Sequence, residues 1–282
     1  MSNAIRELFG IPATDSTERD WAEIAARQHC PYLDRKCLKN RKSQPEISIG
    51  TCTVCYGRES RDIIICPHRL IERRQIFTDC IHLLALHEPG NELHVISELT
   101  VPGGSVDYAV VSARNGSPKD FVGVEVQTLD TTGTVWPERQ RFLRQQGVSV
   151  RDKDVLSGKP FGMNWKMTAK TILVQLHHKV ETFQHLGKHV VLASQDCLIA
   201  YMKNEFSFGH LSQPRLGDPM HFHSYTFSPG AGRLKLQLSE RFSTDVAGIA
   251  TCLGRQESPK VELEHILRQV ESKLSPQTLL TP

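Results

Sequence analysis

Hydrophobic positions along this chain fall into two periods. Near the middle, Val106, Tyr108 and Val110 alternate with other residues, and Val122, Val124 and Val126 do the same after a polar break. A period of two reads as a half-buried strand. Asn115-Gly116 between the two runs signals a tight hairpin turn. Folding about Gly116 sets Val106, Tyr108 and Val110 opposite Val126, Val124 and Val122 on one apolar face. The same register sets Asp107 opposite Glu125 on the other face, with Gln127 one pleat further on. A slip of one residue would bury the acids.

Elsewhere the helical period dominates. Trp21, Ile24 and Ala25 behind Asp15, Ser16 and Thr17 predict a capped helix over residues 15–28, stopped by Pro31. Pro67 followed by Leu70, Phe77, Ile81 and Leu84 predicts a helix over 67–88, broken by Pro89-Gly90-Asn91. Ala169, Leu173, Leu176, Val180 and Phe183 predict a long helix over 166–186. Residues 93–99 read as a strand leading into the hairpin, 190–192 and 198–201 as buried strands, and 234–238 as an edge strand. Val261, Leu263, Ile266, Leu267 and Val270 mark a closing helix. Residues 131–165, polar and irregular, read as a long loop suited to contacting a substrate. The sum is an α/β fold, a mixed sheet flanked by helices. Residues 1–90 carry an N-terminal helix, a cysteine-rich module and a linking helix; residues 91–282 carry the main sheet.

Composition narrows the class. The 282 residues are 39% hydrophobic and 23% charged, which fits a globular chain with a substantial core. A net charge of +3 is too small to argue by itself for a polyanionic partner. No apolar run reaches membrane-spanning length and the first thirty residues do not read as a signal peptide, so a cytoplasmic protein with no membrane partner is expected. Its eight cysteines should then be reduced.

Five of those cysteines cluster, in Cys30-Pro31-Tyr32-Leu33, Cys37, Cys52-Thr53-Val54-Cys55 and Cys66-Pro67-His68-Arg69. Four thiolates at such spacings suit a tetrahedral zinc or iron. Spacing leaves open whether Cys55 or Cys66 completes the set. Lys39, Arg41 and Lys42 form a basic cluster inside this module, and Arg69, Arg73 and Arg74 extend it, all candidates for contacting DNA phosphates or bases. Lys170 on the long helix is another. His177 and His178 leave that helix in different directions, so no histidine metal site is expected there.

Two carboxylates held face to face need a cation between them or a raised pKa. A hard ion such as Mg²⁺ binds carboxylates while keeping open positions for phosphate oxygens. Asp107, the hairpin, then Glu125-x-Gln127 therefore points to metal-dependent phosphodiester cleavage, with Glu98 as a third acid nearby.

The cysteine module and the run Val124-Glu125-Val126-Gln127-Thr128-Leu129-Asp130 behind Asp107 together resemble the NotI family of type II restriction endonucleases. The resemblance extends from Cys30 to Asp130, with weaker similarity over 166–176. It implies a PD-(D/E)xK restriction-endonuclease-like core and a homodimer in the bacterial cytoplasm. It also implies Mg²⁺-dependent cleavage of both strands of DNA at a palindromic GC-rich site. Asp107, Glu125 and the carbonyl of Val126 become the Mg²⁺ ligands. Gln127 stands where most such nucleases carry lysine, and Glu98 takes the place of an upstream acid. The family pattern has no cysteine at Cys55, so Cys30, Cys37, Cys52 and Cys66 become the ligands of a structural iron, or zinc. The alternatives are a structure-selective repair nuclease of the same fold and a non-catalytic, metal-stapled DNA-binding protein.

Overall fold

The computed structural model describes residues 4–13, 18–102, 104–156, 160–211, 213–228, 234–254, 267–268 and 270–272. It is a mixed α/β structure. A small sheet gathers β1 (Ile5–Leu8), β2 (Ile11–Pro12), β3 (Thr51–Tyr56) and β4 (Arg61–Ile64). The main sheet has six strands: β5 (Glu92–Val101), β6 (Gly104–Arg114), β7 (Ser117–Gln127), β8 (His189–Gln195), β9 (Met220–Ser228) and β10 (Lys235–Thr244). They lie side by side in the order β10-β9-β8-β7-β6-β5. β7, β8 and β9 run parallel and the outer pairs antiparallel. Parallel neighbours need crossovers, and these are supplied by α2 (Trp136–Gln145) with α3 (Trp165–His185), and by α4 (Asp196–Glu205).

The central hairpin forms as expected, but by a less direct route. Asn115 and Gly116 have φ of 52° and 75°, the two positive values that a two-residue hairpin turn demands. That turn pairs Arg114 with Ser117 and Ala113 with Pro118, a register that would set every later residue on the wrong face. A bulge between Ser112 and Ala113 absorbs one residue of β7. Beyond it Val110 faces Val122 and Tyr108 faces Val124, the expected pairing. Val106 is different. It packs with the cluster on the α3 side, whereas Tyr108 and Val110 pack on the opposite side of the sheet. The alternation of β6 therefore breaks at Asp107, and Val106 does not share the face predicted for it.

The buried face of α3 carries Ala169, Leu173, Leu176, Val180 and Phe183, all fully enclosed, as its period required. Other segments depart from their patterns. Residues 67–88 do not form one helix but short pieces, Pro67–Leu70, Glu72–Arg74, Gln75–Thr78 and Ile81–Leu83. Arg73 and Arg74 both take left-handed backbone conformations, which end a right-handed helix. The apolar residues here are denser than one helical stripe. Leu70, Ile76, Phe77, Cys80, Leu83 and Leu84 all reach the core, covering the face of the sheet opposite α3.

Leu198–Tyr201 is not a strand but part of α4; a short apolar run does not reveal its period. Residues 131–165 contain the ten-residue α2, whose polar composition hid buried Trp136, Phe142 and Leu143. The first helix, α1 (Trp21–Arg27), is capped by Asp20, which accepts from the Glu23 N–H at 2.9 Å. Asp15, Ser16 and Thr17 lie outside the described residues, as does most of the expected closing helix. Packing runs continuously across residue 90: Trp21 of α1 meets Phe142 of α2 edge to face at 4.8 Å.

Buried histidines set an acid limit on this fold. His221 and His223 of β9 are almost fully enclosed. Burial pushes His221 down to about 4 and His223 to about 3, helped by His189 and His82 beside the first and by Arg241 beside the second. The unfolded chain takes up these protons below about pH 6.5 and the folded chain resists, so stability falls as pH drops through this window. At pH 4.5 each histidine costs roughly 2–3 kcal/mol relative to pH 7. Glu125, pushed up to about 7, works in the opposite sense and offsets about one of them. Urea unfolding at the two pH values should therefore show a net loss of roughly 2–3 kcal/mol at the lower one, and His223→Leu should shrink it. Equal or greater stability in acid would contradict this reading.

Candidate active site

The turn, bulge and register of the hairpin place three acids in one row across adjacent strands. The pairs Val106–Leu99 and Tyr108–Ser97 bracket Asp107 and Glu98, and the β6–β7 register carries Asp107 level with Glu125. Asp107 and Glu98 are exposed and line a cleft of about 450 Å³. The cysteine module forms its other wall, with Leu33, Arg35, Pro67 and His68. Glu98 holds a left-handed φ of 56°, a conformation that costs a non-glycine residue about 1–2 kcal/mol. Asp107 Oδ2 accepts a hydrogen bond from the backbone N–H of Val126 at 2.8 Å, tying its carboxylate to the next strand.

Glu125 is the buried member of the row. Its Oε1 accepts from Lys179 Nζ on α3 at 2.5 Å, and both side chains are enclosed. Burial pushes the Glu125 carboxyl up to about 7. The ammonium of Lys179 pulls it down, while the charge of Asp107 pushes it further up. The charge of Asp107 beside Glu125 is not matched by a second ammonium bonded to it, a deficit that a divalent cation would correct. Gln127 is half-buried and donates its amide N–H to the Thr128 carbonyl at 2.6 Å, which leaves its amide oxygen as the acceptor end. Lys179 was missed in the sequence because no local motif contains it. Its signal was a lysine at the edge of the buried stripe of α3.

Cys30, Cys37, Cys52 and Cys66 are all buried and feel one another's charge, Cys30 that of Cys37 and Cys66, and Cys37 and Cys52 that of Cys66. The Leu33 N–H donates to the Cys30 carbonyl at 3.3 Å and the Arg69 N–H to the Cys66 carbonyl at 3.0 Å, so the two Cys-Pro turns repeat one local structure. Cys52 Sγ lies 3.4 Å from the Gly50 carbonyl. Cys52 donates to Cys66, which this bond and the nearby Lys39 ammonium draw down to about 7. Burial raises Cys30 and Cys37. Cys30, Cys37 and Cys52 are thus held protonated, Cys52 by its bond to Cys66 and by burial, so thiolates at those three positions would need a thiophilic cation beside them. Cys55, three residues from Cys52 on the same strand, faces away and accepts from Arg6 Nη2 at 3.2 Å.

Several candidate DNA contacts have other work. Arg69 is fully buried, bonded to Glu7 at 2.7 Å and Glu72 at 2.8 Å, so it is a core residue and not a phosphate contact. Arg41 pairs with Asp154 at 3.0 Å and lies over the Trp136 ring. Lys39 donates to the Ile65 carbonyl at 2.8 Å. In the 131–165 segment Arg139 is buried, and Arg141, Arg144 and Arg151 pair with Glu138, Asp152 and Asp154. Lys170 lies nine residues before Lys179, roughly two and a half helical turns, and so faces away from the acids. Lys42, Arg73 and Arg74 remain exposed.

Among the described residues, the one group of three or more potential ligands whose donor atoms lie within 4.8 Å of one another is His177, His178 and Glu181, and not the acids or the cysteines. No described helix is long and apolar enough to cross a membrane. No protein-family model matches the chain, and no curated protein is significantly similar to it.

Proposed function

We propose that this chain is a Mg²⁺-dependent DNA endonuclease, a type II restriction enzyme of the NotI kind with a PD-(D/E)xK-like core. The observation that carries the reading is the row Glu98, Asp107 and Glu125 on three adjacent strands, the first two lining a cleft whose far wall brings Arg35 and His68 and the third buried behind them. The divalent ion would be held by Asp107, Glu125 and the Val126 carbonyl. When bound, it supplies a Lewis acid against the phosphate and an acidified water. Lys179 holds the Glu125 carboxylate in place and draws its pKa down against the burial that raises it. Gln127, its amide N–H bonded to Thr128, would use its free amide oxygen to orient the attacking water. Arg35 faces the acids and would pair with the phosphate being cut.

Cys30, Cys37, Cys52 and Cys66 would hold iron or zinc, fixing the two Cys-Pro turns that carry Arg35 and His68 into position. Lys42, Arg73 and Arg74 are the exposed cations left to meet DNA. Two copies of the chain, acting on a palindromic GC-rich site in a bacterial cytoplasm, complete the proposal.

The test is digestion of a long natural DNA with purified protein and Mg²⁺. Discrete bands are expected, and sequencing their ends gives the target. Asp107→Ala should lower the rate by roughly 10²–10³-fold or more. Cutting governed by junctions or flaps, without sequence bias, would favour a repair nuclease. Tight DNA binding with no cleavage under any divalent metal would leave only a metal-stapled binding protein.

A further inference from the structure

The outward side of α3 carries chemistry that DNA cleavage does not use. His177, His178 and Glu181 each bring one donor atom within 4.8 Å of the other two. His177 and Glu181 are four residues apart, so they sit one above the other on the same side of the helix. His178 reaches them from the adjacent position, its ring at right angles to that of His177 with centroids 5.7 Å apart. The expectation that neighbouring histidines diverge fails here, because the two rings swing toward each other over the helix surface.

His177 is also nine-tenths buried, and its Nδ1 is enclosed without a hydrogen-bond partner. An imidazole nitrogen left that way costs about 1–3 kcal/mol. Packing fixes this ring, so a ligand that binds it does not have to order it. A hollow of about 340 Å³ adjoins the pair, lined by Lys170, Val174 and Leu253.

We propose that His177, His178 and Glu181 form a transition-metal site, with Zn²⁺ as the ion it fits best. Two imidazoles and one carboxylate make a donor set that suits zinc and its neighbours, whereas Mg²⁺ prefers oxygen alone. Three protein ligands leave a position open. That position faces the hollow where the Lys170 ammonium favours an anionic or water co-ligand over a second cation. The site is separate from the cysteine cluster in chemistry and from the Asp107–Glu125 acids in position, so it stands or falls without the nuclease reading.

The experiment is a Zn²⁺ titration by calorimetry of the full chain, purified with whatever metal its cysteines hold. It is run on the wild type, His178→Ala and Glu181→Gln; both altered residues are exposed, so neither change opens the core. The wild type should bind one more equivalent of Zn²⁺ than His178→Ala, and Glu181→Gln should bind that equivalent at least about tenfold more weakly. X-ray absorption at the zinc edge on that added equivalent should show nitrogen and oxygen neighbours and no sulfur. Unchanged circular dichroism and melting without zinc confirm that the variants are folded. Equal stoichiometry and affinity in all three proteins would overturn the site, as would sulfur ligation of the added ion.

Discussion

Arg69→Met is expected to lower the unfolding free energy by roughly 3–5 kcal/mol. Arg69 is completely enclosed, with its guanidinium spread over three partners: Glu7 of β1, Glu72, and the carbonyl of Leu234 at 2.5 Å. Tyr32 and Phe227 flank it as aromatic walls. Removing the cation leaves two carboxylates buried against each other without compensation. The small sheet, the broken segment over 67–84 and the strand after Leu234 all meet at this one side chain. Urea unfolding should show a lower midpoint with an unchanged slope. Adding Glu7→Gln and Glu72→Gln should return part of the loss, since neutral amides need no counter-ion. A change under about 1 kcal/mol would mean the ion cluster does not hold these elements together.

Lys179→Met should act on activity more than on stability. Without the ammonium, Glu125 takes a proton at neutral pH, because burial and Asp107 hold it up at about 7 even against the pull of Lys179. The cost to folding stays small for that reason, but a protonated Glu125 cannot hold a divalent cation. Cleavage should fall by roughly 10²–10⁴-fold at pH 7. The acid limb of the pH–rate profile should move to higher pH, because the influence that lowered the Glu125 pKa is gone. Lys179→Arg keeps the charge and should recover part of the rate. An unshifted profile would show that Lys179 matters only for packing.

The hairpin and the long helix were legible because each has a clean period and a clear stop. Asn115-Gly116 announced the turn, yet the bulge that restores the register was not visible, since Ser112, Ala113 and Pro118 carry no pattern of their own. The acids could be paired by counting along the strands. Lys179 could not, because it reaches Glu125 from a helix 54 positions further along the chain. The basic residues misled for a related reason. Arg69 and Arg41 look like surface charge in a list of letters, but their partners Glu7 and Asp154 come from distant segments. In residues 67–88 the spacing of Leu70, Phe77, Ile81 and Leu84 was real, but Ile76, Cys80 and Leu83 also had to be covered, and a single helix presents only one stripe.

The main sheet ends on β5, ten residues long and open to solvent on both sides. Its free edge offers a row of backbone donors and acceptors, and Leu93, Val95 and Ile96 stand exposed along it. Such an edge invites another strand to add to it, and charged side chains are the usual guard. Here the guards are Glu92, His94 and Glu98. Glu98 thus lies both in the cleft and among the charges along this edge. Neutralising it to probe the cleft also removes one of those guards, so how long such a variant stays in solution depends on concentration as well as on fold.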